Sequence, residues 1–262
     1  EHKKYCLPFS EANITDANKE YLQKYLDVTK SQMFFAKGII FVEGISEAIL
    51  LPEIAKILDR PLEKYAVELV NVDSVAFGPF VNLFSSQSVQ TCFSKVAIVT
   101  DDDRCTKKSE SNYINKDFDY DDINGEISDK LLNGTPSERC NELETSCRTV
   151  GINVFKATKT LEYALCCSEN NIEYLVEAIK SEYSELGPIL EQKVNSLHDM
   201  NEKAACVWLF IRARDKCKGA IAQYISQIIK KQYEMKKKGE TVDKEFIIPD
   251  YLKDAVYCVT ER

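Results

Sequence analysis

Two short stretches decide the fold: GIIFVEG at residues 38–44 and KVAIVTDDD at residues 95–103. Each is an apolar run, rich in β-branched residues, that ends abruptly in carboxylates. Runs of this kind are typical of strands buried on both faces of a parallel sheet. Between them lie a helical pattern at residues 46–58 and a second strand pattern at residues 66–72. This alternation predicts an α/β domain with a mainly parallel sheet flanked by helices.

The remainder of the chain follows other patterns. A helix is predicted at residues 16–33. Residues 104–146 are polar and rich in turn formers, so we expect a long loop or small insertion there, with one helix near residues 127–133. A fourth strand pattern, GINVF at residues 151–155, is followed by mostly helical sequence. We interpret KKQYEMKKKGE, residues 230–240, as a basic linker before a closing helix.

Composition narrows the classes of protein. The chain has 262 residues, 34 Lys and Arg against 42 Asp and Glu, and a formal net charge of −8. An acidic balance argues against a nucleic-acid binder when the charges are spread evenly. No apolar run approaches the roughly 20 residues of a membrane span, and no signal-peptide pattern precedes the first helix. We therefore expect a cytoplasmic protein with no membrane partner.

The numbers and spacing of cysteines and histidines also argue against several kinds of site. The ten cysteines include no C-x-x-C pair, and there are only two histidines. This favours reduced thiols over disulfides or zinc ligands and disfavours a histidine-based triad. Catalysis in this chain would have to depend on carboxylates, lysines and metal.

The carboxylates at the strand ends are the main functional signal. Glu43 follows the first strand, Asp101 and Asp103 follow the third, and Glu47 lies one helical turn after Glu43. The carboxyl ends of parallel strands meet at one edge of a sheet, where ligands bind. Converging carboxylates repel one another unless a hard cation neutralises them, so the pattern indicates Mg²⁺ or Mn²⁺ binding. The alternative is ordinary first-turn helix glutamates and a solvated acidic turn.

A strand-terminal Glu followed by a later D-x-D resembles the TOPRIM signature of topoisomerases, primases and several nucleases. The surrounding blocks resemble, in the same order, those of OLD-family (overcoming lysogenization defect) nucleases. They are LDVTKSQMFFAKGIIFVEGISEAILLPEIA (26–55), VNVDSVAFGPFVNLF (70–84), KVAIVTDDD (95–103), TKTLEYALC (158–166), KCKGAIAQYI (216–225) and IPDYLKDAV (248–256).

The resemblance implies a TOPRIM-like fold and a two-metal DNA endonuclease. Two divalent ions, Mg or Mn, would activate a water and stabilise the leaving oxygen. Lys218 would offset charge on the scissile phosphate, and the middle aspartate, Asp102, would lie outside the ligand set. The implied metal ligands, which with Lys218 form the catalytic set, are Glu43, Glu47, Asp101, Asp103 and Glu162.

Two of these assignments have support from the residues themselves and also a plain alternative. Glu162 comes shortly after the fourth strand but could be a helix-entry glutamate. Lys218 precedes Ile221, Ala222 and Ile225 at helical spacing, which places it on an apolar face, but it could extend from a helix end to solvent.

Basic side chains near these blocks are the predicted DNA contacts: Lys107, Lys108, Arg212 and Arg214. The resemblance further implies an N-terminal ATPase domain in a longer protein, with ATP used only there, and a homodimer or higher homo-oligomer. The biological role would be phage defence, as in related bacterial systems, or repair.

The same reasoning predicts a division of the chain into four parts. Residues 1–36 would link to the ATPase domain and residues 37–168 would form the catalytic core. Residues 169–202 would be a helical insertion, and residues 203–262 would complete the domain. Two other functions remain open: a phosphoryl-transfer or receiver-like domain with one phospho-accepting Asp, and a catalytically weak TOPRIM module for dimerisation.

Overall fold

The computed structural model describes residues 15–25, 30–85, 95–109 and 111–261. Its centre is a four-stranded sheet with the order β2-β1-β3-β4, and every pairing is parallel. The strands are β1 (Gly38–Val42), β2 (Val67–Asn71), β3 (Lys95–Asp101) and β4 (Asn153–Ala157). The predicted α/β class and all four predicted strands are confirmed.

Both faces of the sheet are covered, as the continuous apolar runs require. Side chains alternate between faces along a strand. Ile40 and Val42 of β1 belong to one buried cluster, whereas Ile39 and Phe41 belong to another on the opposite face. All five residues of β1 are buried. A strand with two buried faces has no polar alternation, which explains the pattern in the sequence.

Helices form both outer layers. The smaller layer contacts Ile39 and Phe41 and includes residues of the helices Asp16–Tyr25, Gly78–Ser85 and Glu138–Thr149. The larger layer contains the helix Ile45–Ile57 and most of the helices that follow β4. The helices are α1 (Asp16–Tyr25), α2 (Ile45–Ile57), α3 (Gly78–Ser85), α4 (Gly125–Asn133), α5 (Glu138–Thr149), α6 (Leu161–Cys166), α7 (Glu169–Glu182), α8 (Leu186–Ser196), α9 (Met200–Ala213), α10 (Lys218–Lys237) and α11 (Asp250–Thr260).

Three local predictions need correction. The polar segment 104–146 contains two helices rather than one, because α5 begins where the Ser137 hydroxyl accepts a hydrogen bond from the Cys140 amide. The supposed basic linker is helical as far as Lys237. The first predicted helix is α-helical over Asp16–Tyr25, and its predicted last residues belong to a 3₁₀ turn at Lys30–Phe35; residues 26–29 lie outside the described residues.

Two further findings concern the described part of the chain. Each of its eight cysteines is a free thiol, as expected for reduced cysteines. None of its helices is long and apolar enough to cross a membrane. The predicted division at residues 36, 168 and 202 stays a prediction.

Candidate functional site

The register of the sheet brings Glu43 beside the end of β3. Val42 pairs with Val99, so the next residue of each chain segment, Glu43 and Thr100, also lie side by side. The buried Thr100 hydroxyl donates a hydrogen bond of 2.7 Å to Glu43 Oε2. The Asp101 amide lies 3.4 Å from the same oxygen. The first carboxylate is therefore fixed at the carboxyl edge of the sheet by the strand that carries the D-x-D.

The three aspartates at the end of β3 point in different directions. Asp101 accepts a hydrogen bond of 2.9 Å from the Leu161 amide at the start of α6. Asp103 has a left-handed backbone, with φ of 51°, and forms an ion pair with Arg139. Asp102 lies inside the protein, only 2% exposed, and its Oδ2 accepts a bond of 2.6 Å from Arg104 Nη2. The first and third aspartates thus lie at the carboxyl edge of the sheet, and the side chain of the middle one is buried in the protein.

Two helix N-termini supply the remaining carboxylates. Glu47 is in the first turn of α2, directly after the Gly44 cap, and is 6% exposed. Glu162 is in the first turn of α6, whose Thr160 cap accepts from the Tyr163 amide, and is 7% exposed. A negative charge is favourable at a helix N-terminus, which offsets part of the cost of burying both side chains.

Mutual repulsion shows that these carboxylates share one location. Burial raises the pKa of Asp101 well above its ordinary value, and the charges of Glu162, Glu47, Glu43 and Asp103 raise it further. Burial likewise raises the pKa of Glu47 to about 7, with Glu162 and Glu43 adding to the effect. The structure therefore brings together Glu43, Glu47, Asp101, Asp103 and Glu162, called the carboxylate cluster below.

Replacing Glu47 with Gln is expected to stabilise the metal-free protein at alkaline pH. The pKa of Glu47 is about 7 in the fold against an ordinary 4.5, so the folded state retains a proton that the unfolded state releases. That contribution to stability is complete below pH 4.5 and is lost as pH rises through 7. A shift of this size corresponds to about 3 kcal/mol. Urea unfolding in EDTA between pH 5 and 8 measures it.

The matched control is Glu63→Gln, because Glu63 is exposed in the turn before β2, at the opposite edge of the sheet. Its stability should follow the same pH dependence as the unmodified chain. If Glu47→Gln also followed that dependence, burial of a charged Glu47 would carry no cost and the argument would be wrong.

Two cations accompany the carboxylate cluster. Lys218, the first residue of α10, has its Nζ 4.0 Å from Glu162 Oε1 and a side chain that is 35% exposed. It lies on the same helical face as the buried Ile221, as the spacing predicts, but at the helix end. Arg139 of α5 donates to Asp103 Oδ2 at 2.7 Å and lies 3.9 Å from Glu43 Oε2.

The predicted DNA contacts differ in how their charges are used. Lys107 forms an ion pair with Glu138 at the surface, and Lys108 is exposed. Arg212 donates to the carbonyl oxygens of Asn115 and Phe118. Lys107 and Lys108 are thus at the surface, whereas Arg212 is occupied by backbone oxygens. For all of the predicted DNA contacts, the role in DNA binding stays a prediction.

Arg214 is the most firmly engaged of the four. Its two terminal nitrogens each lie 2.8 Å from an oxygen of Asp119, and its guanidinium lies over the ring of Phe210. Such a bidentate pair fixes the segment before α4 against α9. Arg212 and Arg214 therefore have a clear role in holding this segment.

The carboxylate cluster has the donors of a divalent-metal site but not its geometry. Within the described residues, no three His, Cys, Asp or Glu side chains are placed so that they could hold one ion as they stand. The chemistry nevertheless fits: the cluster is all oxygen, the donors that Mg²⁺ and Mn²⁺ prefer, and its charges repel one another. Glu43, Asp101 and Asp103 would hold one ion, and Glu47 and Glu162 would help to hold another.

Two residues near the cluster were missed by sequence reasoning. Arg139 belongs to the polar segment that was expected to be mostly loop, and it also donates to the Asp101 carbonyl oxygen. Tyr251 is in the first turn of α11, and its buried hydroxyl has no hydrogen-bond partner within the described part of the chain. Nothing in local spacing identifies either residue, because both reach the site through tertiary packing.

Comparisons with known proteins agree with this geometry. Residues 34–103 match the family described as Overcoming lysogenization defect protein-like, TOPRIM domain. No curated protein matches the chain.

Two solved structures resemble this fold over most of its length. The C-terminal region of the Xanthomonas campestris pv. campestris OLD protein, phased with platinum, has 21% identity and a TM-score of 0.52, covering 88% of this chain and 95% of that one. The C-terminal region of the Burkholderia pseudomallei OLD protein has 22% identity and a TM-score of 0.50, covering 86% and 97%. At these identities the match establishes the fold.

The matched segment, residues 34–103, runs from just before β1 to the end of the D-x-D and so contains four of the five clustered carboxylates. Residues 34–103 match an OLD-like TOPRIM domain, and they lie within a fold that resembles the C-terminal region of OLD proteins over most of the length of this chain.

Proposed function

We propose that this chain is a divalent-metal-dependent endonuclease that hydrolyses DNA phosphodiester bonds. One observation carries the proposal: five carboxylates from two strand ends and two helix N-termini converge at the carboxyl edge of the sheet. Burying that much like charge has a cost that only a function justifies. A TOPRIM domain implies divalent metal binding, which is the chemistry such a cluster suits.

Several residues of the chain hold the carboxylates in place for metal binding. Bound divalent ions would lower the pKa of water and stabilise charge on the leaving oxygen. Thr100 holds Glu43 by its hydroxyl, and the Leu161 amide holds Asp101, so both carboxylates are oriented before any ligand arrives. Preorganised groups need no rearrangement during the reaction, which is the main source of electrostatic catalysis.

Lys218 is the cation that we assign to the scissile phosphate. Its Nζ is 4.0 Å from Glu162 and its side chain is partly exposed, so it lies at the boundary between the cluster and solvent. A lysine there can contact both a carboxylate and an incoming phosphate oxygen. Lys107 and Lys108 are the surface residues that would contact the adjoining DNA backbone, with Lys107 paired to Glu138 at rest.

A longer protein is part of the proposal. The two OLD structures that resemble this chain are C-terminal regions, which supports an N-terminal ATPase domain that supplies ATP-dependent control. We also propose that the full-length protein is a homodimer or higher homo-oligomer acting in phage defence or repair.

Incubation of the chain with supercoiled plasmid should give nicked or linear DNA with Mg²⁺ or Mn²⁺ and none with EDTA. Ca²⁺ should allow binding with little cleavage, because it accepts looser geometry and longer ligand distances than Mg²⁺. Gel electrophoresis measures the products. Intact plasmid in every metal would support the dimerisation module instead. Incorporation of phosphate into a single aspartate would support the receiver-like domain.

A further inference from the structure

The tyrosine at the start of α11 has an unexplained polar group. Tyr251 Oη is buried and has no hydrogen-bond partner among the residues that the structure describes, although about nine in ten buried polar groups do have one. A buried hydroxyl without a partner costs about 1–3 kcal/mol relative to a paired one. A ligand that the protein binds is one explanation for such a group.

The direction of α11 places Tyr251 at the carboxylate cluster. The last turn of this helix lies against the amino ends of the strands: Lys95 Nζ, at the start of β3, donates to the Glu261 carbonyl at 2.7 Å. Asn153, at the start of β4, lies 3.2 Å from Cys258 Sγ. The helix therefore runs antiparallel to the sheet, and its first turn lies at the carboxyl edge.

The length of α11 also places its first turn near the carboxyl edge of the sheet. A side chain at Gly38, the first residue of β1, would come within 3.0 Å of the Val259 carbonyl oxygen. From Val259 back to Tyr251 a helix rises about 12 Å. From Gly38 to Val42 a strand rises about 13 Å. Tyr251 is thus carried to about the level of Val42, one residue before Glu43.

The charges around the hydroxyl identify its neighbours. Burial raises the pKa of Tyr251 well above its ordinary value, and Asp101, Glu47 and Glu162 raise it further. These are three members of the cluster, and none is within hydrogen-bond distance of the hydroxyl. The hydroxyl thus lies near the cluster without a direct hydrogen bond to any of its carboxylates.

We propose that Tyr251 is a positioning residue whose hydroxyl donates a hydrogen bond to an oxygen ligand of the divalent cation bound by the carboxylate cluster. This rests on the metal binding in the proposed function. Partners that orient metal ligands in this way typically contribute 10–100-fold to metal affinity. The hydroxyl is therefore unpaired in the absence of metal and paired in its presence.

The proposal is tested with Tyr251→Phe, which removes only the hydroxyl. The whole chain is titrated with Mn²⁺, and binding is monitored by electron paramagnetic resonance. We expect Mn²⁺ affinity to fall about tenfold. The free energy of unfolding in EDTA should stay the same or increase, since an unpaired buried hydroxyl is removed.

Tyr163→Phe is the matched control. Tyr163 also has a buried hydroxyl and is next to Glu162 in sequence, but the charges that raise its pKa after burial are those of Cys167 and Cys166. This variant should bind Mn²⁺ like the unmodified chain.

Unchanged Mn²⁺ affinity of Tyr251→Phe would overturn the proposal, as would an equal loss in both variants. A loss of stability in EDTA that matches the loss of affinity would also overturn it, because the hydroxyl would then serve the fold. If the unmodified chain binds no Mn²⁺, the proposed function fails as well. Normal binding by the unmodified chain with no effect of Tyr251→Phe refutes the role of Tyr251 alone.

Discussion

Glu43→Gln should abolish metal-dependent plasmid nicking, with a loss of at least about 10²–10³-fold in rate. The amide keeps the size of the side chain and can still accept from the Thr100 hydroxyl, which now binds Glu43 Oε2 at 2.7 Å. It removes the negative charge that a divalent ion requires. The fold should therefore survive while cation binding and cleavage fail. Asp101→Asn should behave in the same way, since Asp101 interacts with all four other carboxylates.

Loss of activity alone does not separate a metal ligand from a residue needed for folding, so the measurement has two parts. Nicking in Mg²⁺ and Mn²⁺ is compared with the free energy of unfolding in EDTA, which should not fall for either variant. Glu63→Gln, at the opposite edge of the sheet, is the control for a carboxylate-to-amide change and should nick normally. Cleavage retained by Glu43→Gln or Asp101→Asn would remove the basis of the proposed function.

The sheet could be predicted because burial on both faces leaves a distinctive record in sequence. All five residues of β1 are buried, so no polar residue interrupts the run. The strand ends then position the proposed metal ligands directly: Glu43 follows the last residue of β1, and Asp101 is the last residue of β3. This part of the site follows from parallel pairing alone, which explains why residues 57 apart, Thr100 and Glu43, could be expected to meet.

Other parts of the site depend on packing between distant segments. Arg139 reaches Asp103 from 36 residues away, through a helix in a polar segment that has few aliphatic residues to reveal it. Tyr251 reaches the cluster because α11 runs antiparallel to the strands. Helical periodicity in the sequence does not predict the direction in which a helix packs on a sheet. The basic residues 230–240 mislead for a related reason: lysines are good helix formers, and they extend α10 instead of ending it.

The acidic balance of the chain also takes on a different meaning. Five of its 42 carboxylates belong to the cluster. Bound divalent ions reverse the local sign of the field, so a chain with a net charge of −8 can still hold a phosphodiester at this edge. The remaining acidic surface repels DNA, and we therefore expect weak and salt-sensitive binding by this chain alone.

Asp102→Asn should be the most destabilising conservative change near the site. Asp102 is 2% exposed, and Arg104 donates to its Oδ2 from Nη2 at 2.6 Å and from Nε at 2.9 Å. The Lys159 amide donates to its Oδ1 at 2.9 Å. Asparagine can still accept from an amide, but it leaves the Arg104 guanidinium without its counter-charge. Breaking a buried ion pair typically costs 3–5 kcal/mol, and we expect about 3 because the amide remains.

Urea unfolding measures that loss, with Glu191→Gln as the control. Glu191 pairs with Lys180 at 2.9 Å on the surface, so the same carboxylate-to-amide change there should cost no more than about 0.5 kcal/mol. Mn²⁺ affinity of Asp102→Asn, measured where the variant is fully folded, should stay close to that of the unmodified chain. A fall in affinity without a fall in stability would instead assign Asp102 to the metal site. The expected result divides the D-x-D by direction: its outer residues lie at the carboxyl edge of the sheet for the proposed metal binding, and its middle residue anchors the turn that presents them.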